Sequence, residues 1–351
     1  MNPAKLLIVD PRDGLRHVPR AMLIDILRAG DLIVANDAAT LPASLHGTHV
    51  PSGASIEVRL AGRPTTPPRS ANAKDSTGVA DFCAVVFGAG DFHTRTEDRP
   101  HPPALSPGDA LALGPLSAVV TALLGHTRLI SLHFEGAPDE IWSGIARHGH
   151  PVQYSHVPRP LALWDVWTPI ASPPVAFEPP SAGFALDWQM IAAFNSRGIG
   201  FATITHAAGI SSTGDIELDR RLPFDEPYEI PLSTERAIAR TRAAGGRIIA
   251  IGTTVVRALE HAGMADGYVH AGRGLATQRI GRETRLRVVD ALLTGVHERD
   301  TSHYELLRAF ADDQTLSAAD EALALHDYRP HEFGDSVLVL PAAPRLTLGA
   351  P

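Results

Sequence analysis

The stretch GGRIIAIGTTVVRALEHAG, residues 245–263, places a strand, a turn and a helix in direct succession. Residues 247–251 form a short, mostly apolar run, and the residues after Gly252 have helical spacing. Gly252 allows the backbone to turn sharply, and Thr253 or Thr254 can cap the first helical turn. We therefore expect an α/β fold in which the N-terminus of this helix offers N–H groups to an anionic part of a ligand.

The same alternation of strands and helices extends on both sides of this stretch. Before it, LDWQMIAAFNSRG and LSTERAIARTRAAGG are predicted helices around the strand IGFATITH. At the N-terminus, KLLIVD and LIVAND are predicted strands, and RAMLIDILRAGD between them has helical spacing. After it, we predict helices at VVDALLTG, SHYELLRAFA and SAADEALALHDY, and a closing strand at DSVLVLP.

A different pattern interrupts this alternation between GASIEVRLAGR and TRLISLHFEG. Short strands of alternating polarity are separated there by RPTTPPRSANAKDSTG and GAGDFHTRTEDRPHPPALSPG. We therefore predict a two-domain α/β protein. Residues 1–50 and 151–351 would form the α/β core that carries the active site, and residues 51–150 an inserted small antiparallel β-barrel.

Composition limits the classes of protein that this chain can belong to. Its 351 residues are 44% hydrophobic and 20% charged, as in a soluble globular enzyme, and no apolar run is long enough to span a membrane. The N-terminus lacks a signal-peptide pattern, and the single cysteine, Cys83, suits a reducing cytoplasm. The net charge of -8 weakens a nucleic-acid interpretation without excluding one, because a local basic face can coexist with it.

Three familiar ligand motifs are not supported. No lysine follows the opening turn as a phosphate-binding loop requires. The Gly88-x-Gly90 pattern precedes DFHTRTEDRPHPP, which cannot form the helix of a dinucleotide site. His148, His150 and His156 surround a predicted helix end without a partnering carboxylate cluster or cysteine, so we expect structural or exposed histidines there and no metal.

Polar residues follow three predicted strands at the point where each strand ends. Asn36-Asp37, Thr205-His206 and Gly252-Thr253-Thr254 occupy these positions. Because ligands of open α/β sheets bind beyond the carboxyl ends of the strands, we expect the three groups to converge on one site. The alternative is that each group only forms a turn or caps a helix.

Several segments of the chain, in the same order, resemble motifs of one enzyme family. IGTTVVRALE is similar to GTTSVRTLE, VVDALLTGVH to VVDALLTNFH, and YRPHEFGDSVLVL to YRFFSYGDAMLI. VANDAATLPASLHG follows the frame of FNDTRVIPARLFG, and PPSAGF lies where the family has APTAGLHF. THAAGI and DEPYEIP lie where the family has LHVGxGTF and HSEYYEVP. From about residue 30 to 340 the chain thus resembles the S-adenosylmethionine:tRNA ribosyltransferase-isomerases of queuosine biosynthesis.

The resemblance implies a fold, a reaction and its partners. The implied fold is an α/β domain interrupted by a small β-barrel. The implied reaction transfers and isomerises the ribosyl group of S-adenosylmethionine onto 7-aminomethyl-7-deazaguanine in tRNA, which gives epoxyqueuosine and releases adenine and methionine. S-adenosylmethionine is then a consumed cosubstrate, and neither a metal nor another cofactor is needed.

The chain departs from the family at six polar positions next to strand ends. The family's two arginines of NDTRVIPAR, the histidine of TAGLHF, two histidines before the DEPYEIP segment and an asparagine are replaced by Ala39, Ser44, Ala185, Arg221, Phe224 and Gly295. The glycine-proline loop before VVDALL becomes RIGRETRLR. Fewer phosphate-binding arginines predict weaker action on tRNA, unless the arginines of that loop compensate.

The chemistry of the implied reaction suggests roles for the retained residues. Adenine release needs an acid, a proton beside the sulfonium must be removed, and the ribose hydroxyls must be held. The catalytic candidates are His206, which ranks first because an ordinary histidine pKa lies near neutral pH, then His297, with Asp37 and Glu226 as acceptors for the hydroxyls. The candidate substrate-binding residues are Asn36, Thr168, Ser181, Gly183, Thr205, Gly209, Gly252, Thr253, Thr254, Arg257 and Asp290.

Other interpretations remain open at this stage. His206 is equally consistent with a hydrogen-bonded structural histidine, Arg257 with a structural ion pair, and Asp290 with a bond to a neighbouring loop. The whole chain is also consistent with an enzyme that uses S-adenosylmethionine with a small-molecule or other acceptor. A third possibility is a non-catalytic paralogue that binds a nucleotide or a partner protein.

Overall fold

The computed structural model describes residues 4–64, 80–299, 301–330 and 333–340. The strands, numbered in chain order, are β1 (Lys5–Asp10), β2 (Gly14–Pro19), β3 (Leu32–Asn36), β4 (Ala39–Thr40), β5 (Ser44–His49), β6 (Ala54–Gly62), β7 (Asp81–Phe87), β8 (Ala110–Leu113), β9 (Leu116–His126), β10 (Leu129–Phe134), β11 (Pro174–Ala176), β12 (Gly200–His206), β13 (Glu226–Ile230), β14 (Ile248–Ile251), β15 (Gly272–Ala276), β16 (Ala291–Gly295) and β17 (Ser336–Val339). The α-helices are α1 (Leu23–Ile26), α2 (Pro138–His148), α3 (Trp188–Ser196), α4 (Ile216–Asp219), α5 (Leu232–Ala243), α6 (Thr253–Ala262), α7 (Ser302–Leu307) and α8 (Asp313–Leu325).

Nine of these strands form one mixed sheet in the order β15-β13-β12-β3-β14-β16-β17-β1-β2. The four adjacent strands β12, β3, β14 and β16 are parallel. Asn36, the last residue of β3, pairs with Ile204, and Ala35 pairs with Ile251. β14 therefore ends one residue before β3 does, and β12 ends two residues beyond it. The polar residues that follow these strands therefore lie along one edge of the sheet, as the sequence predicted for an open α/β sheet.

Helices cover both faces of this sheet. The apolar side of α6, with Val255 and Leu259, packs with Val34 and Ala250 on one face. On the other face, Phe194 of α3 packs among the alternate residues of the same strands. Burial on both sides explains why β3 and β14 consist almost entirely of apolar residues.

The prediction of a helix at VVDALLTG is wrong. Residues Ala291–Gly295 form β16, which pairs in parallel with β14 and antiparallel with β17. A short apolar run fits a buried helix and a central strand equally well, and no turn signal within it distinguishes the two. The position between two other buried strands, which the segment alone does not reveal, selects the extended form.

Six antiparallel strands close a barrel in the order β10-β7-β6-β5-β8-β9. Its interior is filled by apolar side chains such as Phe82, Phe134 and Val58. The barrel strands run from Ser44 to Phe134, so the first of them precedes residue 51, where we expected the insertion to begin. Most of the predicted break RPTTPPRSANAKDSTG lies outside the described residues, and the division into domains remains a prediction.

Other predicted elements are present with small differences. RAMLIDILRAGD forms a single 3-10 turn followed by the one-turn helix α1. The Gly88-x-Gly90 segment is a loop between β7 and β8, as expected. Within the described ranges, every helix is too short or too polar to cross a membrane.

Candidate active site

A cavity of about 500 Å³ lies at the edge of the sheet where the parallel strands end, and a loop of the barrel segment contributes to its wall. Its lining includes residues after β12, β14 and β16, the start of α6, and the loop that contains Arg95. The predicted site residues among those that line it are Ser181, Gly209, Glu226, Gly252, Thr253, Thr254, Arg257 and His297. The structure thus brings together one group of predicted residues and leaves out another.

The turn between β14 and α6 has the geometry that the sequence predicted. Gly252 is the N-cap of α6, which begins at Thr253. Its φ of +93° is a conformation that residues with an L side chain rarely adopt. A Cβ atom at Gly252 would also lie 3.3 Å from Cβ of Ala182. The expectation that Thr253 or Thr254 caps the helix is wrong, because the N-cap is Gly252, which has no side chain to bond the first amides. Gly252, Thr253 and Thr254 all line the cavity. The turn is therefore suited to an anionic group.

Glu226 and Arg257 form an ion pair on the cavity wall. Arg257 Nη1 donates to Glu226 Oε2, and the Gly209 amide donates to Oε1 at 2.7 Å. Arg257 Nη2 also donates to the carbonyl oxygen of Ala276 at 2.9 Å and to that of Phe224 at 3.2 Å. Burial raises the pKa of Glu226, although Arg257 acts in the opposite direction. Arg257 is thus extensively engaged by the protein and holds Glu226 in place.

His206 lies behind this pair and does not line the cavity. Its side chain is fully buried, and Nε2 is 3.4 Å from Glu226 Oε2 without hydrogen-bond geometry. Burial, with a smaller contribution from the positive charge of Arg257, lowers the pKa of His206 to about 3. The imidazole is therefore neutral near pH 7, and His206 lacks the ordinary pKa expected of an acid–base residue.

Asn36, Asp37 and Thr205 have hydrogen-bond partners within the protein and do not line the cavity. The Asn36 side chain exchanges two hydrogen bonds of 2.9 Å with the backbone of His206. Thr205 Oγ1 donates to Asp37 Oδ1 at 2.6 Å. Because successive side chains of a strand alternate, Thr205 points to the opposite face of the sheet from His206. These contacts give Asn36, Asp37 and Thr205 a local structural role, as in the alternative in which such residues only form turns.

Three further predicted residues lie outside the cavity lining. A Cβ atom on Gly183 would come within 2.9 Å of Thr168 Cγ2, so the two residues pack against each other. Asp290 accepts a hydrogen bond of 2.8 Å from the Ile248 amide. Ile248 begins β14 and Asp290 directly precedes β16, which places Asp290 at the amino ends of the strands, away from the edge that carries the cavity.

His297 lies in the cavity wall just after β16. Its Nε2 is 2.6 Å from Thr294 Oγ1, and its ring stacks on that of His303 with 4.9 Å between the centroids. The Gly252 amide donates to the carbonyl oxygen of Leu293 at 2.8 Å, which joins the end of β16 to the turn before α6. His297 is thus a predicted acid–base residue that a ligand in the cavity can reach.

The sequence did not indicate several other residues of the cavity lining, among them Tyr154 and Glu178. Tyr154 Oη donates to Glu178 Oε1 at 2.5 Å. Glu178 directly precedes the PPSAGF motif, which is the one available signal for it. Tyr154 lies in a loop without periodicity, where a single polar residue carries no pattern that points to a site.

The histidines considered as metal ligands have other contacts. His148 Nε2 is 2.9 Å from the carbonyl oxygen of His46, and His156 stacks on Tyr154. The described part of the chain contains no group of three or more His, Cys, Asp or Glu residues arranged to hold a metal ion. The expectation that the reaction needs no metal remains a prediction.

Comparisons with known proteins give consistent names. A family model described as queuosine biosynthesis protein matches residues 2–339. Two proteins named S-adenosylmethionine:tRNA ribosyltransferase-isomerase, from Gloeobacter violaceus and a Methylobacterium species, are each 31% identical over 97% of this chain and over 90% and 93% of their own. The crystal structure of an S-adenosylmethionine tRNA ribosyltransferase from Thermotoga maritima has 23% identity, covers 97% of this chain and 93% of its own, and has a TM-score of 0.48.

Proposed function

Because this chain belongs to the queuosine biosynthesis protein family, we propose that it is an S-adenosylmethionine:tRNA ribosyltransferase-isomerase. It transfers and isomerises the ribosyl group of S-adenosylmethionine onto 7-aminomethyl-7-deazaguanine in tRNA and releases adenine and methionine. One observation carries this proposal: the family match over residues 2–339 includes every residue that lines the cavity.

The cavity suggests where the donor binds. The uncapped start of α6 would bind the carboxylate of the methionine part, because the amides of Thr253 and Thr254 and the helix dipole favour an anion there. Glu226 would accept hydrogen bonds from the ribose hydroxyls, since it lies in the same wall and its position is maintained by Arg257. His297 takes the acid–base role in preference to His206, because only His297 is within reach of the cavity.

S-adenosylmethionine is the consumed cosubstrate in this proposal, and the chain's residues supply the rest of the chemistry without a metal. A cytoplasmic location belongs to the same proposal, because tRNA is the acceptor. The lone Cys83 is consistent with a reducing compartment, and burial raises the pKa of its thiol to about 11, which makes it a poor nucleophile.

An acceptor other than tRNA is the second candidate, and it was suggested by the arginines that this chain lacks. Two of the replacing residues, Ala39 and Ser44, are buried. Ser44 Oγ donates to Glu57 Oε1 at 2.7 Å in the barrel segment, and neither residue lines the cavity. Their burial weakens the argument that a phosphate contact is missing at these positions, so tRNA remains the favoured acceptor.

Adenine release tests the proposal. The purified protein is incubated with S-adenosylmethionine alone, with tRNA carrying 7-aminomethyl-7-deazaguanine, and with the same tRNA carrying guanine. We expect adenine only with the modified tRNA, together with epoxyqueuosine in the RNA. Adenine release that does not depend on tRNA would favour a different acceptor. Binding of S-adenosylmethionine without adenine release in any arm would favour the non-catalytic paralogue.

A further inference from the structure

The loop between β7 and β8 supplies the barrel segment's part of the cavity wall, with residues 95–97. Arg99 closes this loop at its base, where Nη2 donates to the carbonyl oxygens of Gly88 and Gly90 at 3.0 and 2.9 Å. Nη1 of the same side chain donates to Oε2 of the buried Glu57 at 2.5 Å. The base of the loop is therefore fixed to the barrel by buried, charge-assisted hydrogen bonds.

The far end of the loop is held by the segment before α4. Gly214 has φ +66°, and a Cβ atom there would lie 2.4 Å from the Glu97 nitrogen, so the two backbones are in direct contact. Arg128 Nη2 of the barrel donates to the carbonyl oxygen of Thr213 at 3.2 Å, and Ser212 lines the cavity. The loop and this segment thus form one continuous wall.

Arg95 is the exposed cation of this wall. The described residues that line the cavity include two arginines, Arg95 and Arg257, and no lysine. Arg257 has 5% of its side chain exposed and is engaged by Glu226. Arg95 has 68% of its side chain exposed, and it forms an ion pair with Glu97, whose side chain is 46% exposed. Because an exposed ion pair contributes little stability, the Arg95 guanidinium can exchange this partner for another anion.

The size of the cavity limits what Arg95 can contact. A volume of about 500 Å³ is suited to a small molecule or a single inserted base. The phosphodiester backbone of an RNA that inserts a base must then remain at the opening, beside the solvent-exposed part of the wall. A guanidinium binds phosphate oxygens through paired N–H donors, and such a contact positions an RNA without reading its sequence.

We propose, on the basis of the function proposed above, that Arg95 binds a backbone phosphate of the tRNA next to the acceptor nucleoside. The β7–β8 loop is then part of the RNA-binding surface, and Glu97 competes with the phosphate for the guanidinium. Because the loop is fixed at its base and at its far end, it presents Arg95 to the RNA without a rearrangement of the backbone.

The test measures the affinity for an RNA stem-loop that carries 7-aminomethyl-7-deazaguanine, by fluorescence anisotropy at several salt concentrations. Each arginine–phosphate contact releases counterions, so the slope of log K against the logarithm of the salt concentration should be smaller in magnitude by about 0.7–0.9 in Arg95→Gln. At low salt the affinity of this variant should fall by about threefold to tenfold. Arg95→Lys should keep most of the slope, because it keeps the charge. Glu97→Gln should raise the affinity by about twofold, because it removes the competing carboxylate.

Arg197→Gln and Asp25→Asn are the matched controls, because these residues form an exposed ion pair outside the cavity lining. Both controls should bind the stem-loop as the wild type does. The affinity of Arg95→Gln for S-adenosylmethionine, measured by calorimetry, should stay within about twofold of the wild type, which also shows that the variant folds. An unchanged salt slope in Arg95→Gln would overturn the assignment. So would a loss of affinity for S-adenosylmethionine alone, which would indicate that Arg95 contacts the methionine carboxylate.

Failure of the proposed function is seen separately, because binding is measured without turnover. A wild type that binds the stem-loop with an Arg95-dependent salt slope but releases no adenine would support this inference and contradict the proposed reaction. A wild type without measurable affinity for the stem-loop would overturn the inference, and adenine release with other acceptors would then test the reaction by itself.

Discussion

Nε2 of His206 lies 3.4 Å from Oε2 of Glu226, and neither ring nitrogen of His206 has a hydrogen-bond partner within the described residues. The cation that Glu226 contacts is Arg257, whose guanidinium reaches the same oxygen. A protonated His206 would add a second positive charge beside Arg257 at a position where the imidazole has no exposed surface. Burial, together with the charge of Arg257, therefore holds the His206 imidazole neutral.

The stability of the protein should fall as the pH drops, in part because of His206. Its pKa is about 3 in the folded chain and about 6.5 when unfolded, so the unfolded chain binds the proton first. The stabilisation is complete above pH 6.5 and is lost toward pH 3. Between pH 7 and 5 this residue should lower the free energy of unfolding by about 2 kcal/mol. Urea titrations should show a smaller pH dependence in His206→Gln, and parallel curves for the two proteins would contradict the buried neutral state.

Removal of the cation that balances Glu226 should be strongly destabilising. Arg257→Met leaves a buried carboxylate without its charge partner, which should lower the free energy of unfolding by about 3–5 kcal/mol. Arg273→Met is the matched control. Arg273 of β15 forms an exposed ion pair with Glu229 of β13, the strand that also contains Glu226, and its loss should lower the free energy of unfolding by about 0.5 kcal/mol or less. Equal effects in chemical denaturation would show that Arg257 has no structural role of this kind.

Glu226 itself should be needed for turnover. Glu226→Gln keeps the shape of the side chain but removes the negative charge that would hold the ribose hydroxyls, so kcat for adenine release should fall by about a hundredfold or more. Glu229→Gln, three residues along β13 and exposed, should retain normal turnover. Wild-type rates in Glu226→Gln would remove this residue from the catalytic site.

The start of α6 should bind S-adenosylmethionine. Thr253→Arg places a cation where the helix dipole is positive, and it fills part of the cavity, so affinity measured by calorimetry should fall at least about tenfold. Ser233→Arg introduces the same side chain into the first turn of α5, at an exposed position outside the cavity lining. That control should bind as the wild type does, whereas unchanged affinity in Thr253→Arg would exclude the turn from the site.

Restoring a family arginine at position 44 should harm the protein without improving its action on tRNA. Ser44 is buried beside Glu57, which already contacts Arg59 and Arg99, so Ser44→Arg would force a third guanidinium into that network. Its free energy of unfolding should drop by about 2 kcal/mol or more. Ser117→Arg on the exposed side of β9 should be nearly neutral. Faster tRNA modification by Ser44→Arg at unchanged stability would support the idea of a missing phosphate contact.

Local sequence patterns correctly predicted the elements whose conformation depends mainly on neighbouring residues in the chain. The strand at 248–251, the left-handed glycine and helix α6 follow from an apolar run, a residue without Cβ and helical spacing, all of which act over neighbouring residues. The same patterns misassigned β16, because an apolar run of five residues acquires its conformation from the strands on either side.

What the sequence alone determined is therefore the α/β class, the barrel-like insertion, the family and the turn at Gly252, each of which depends on short-range order or on motifs in fixed succession. Only the tertiary structure decided which polar residues face the cavity. Asn36, Asp37 and His206 lie at the predicted strand ends, yet their side chains contact the protein itself, while Tyr154 and Glu178 reach the cavity from loops. The physical reason is that exposure and pKa depend on packing between segments far apart in the chain. The burial that makes His206 neutral is contributed by such packing and is absent from its local sequence.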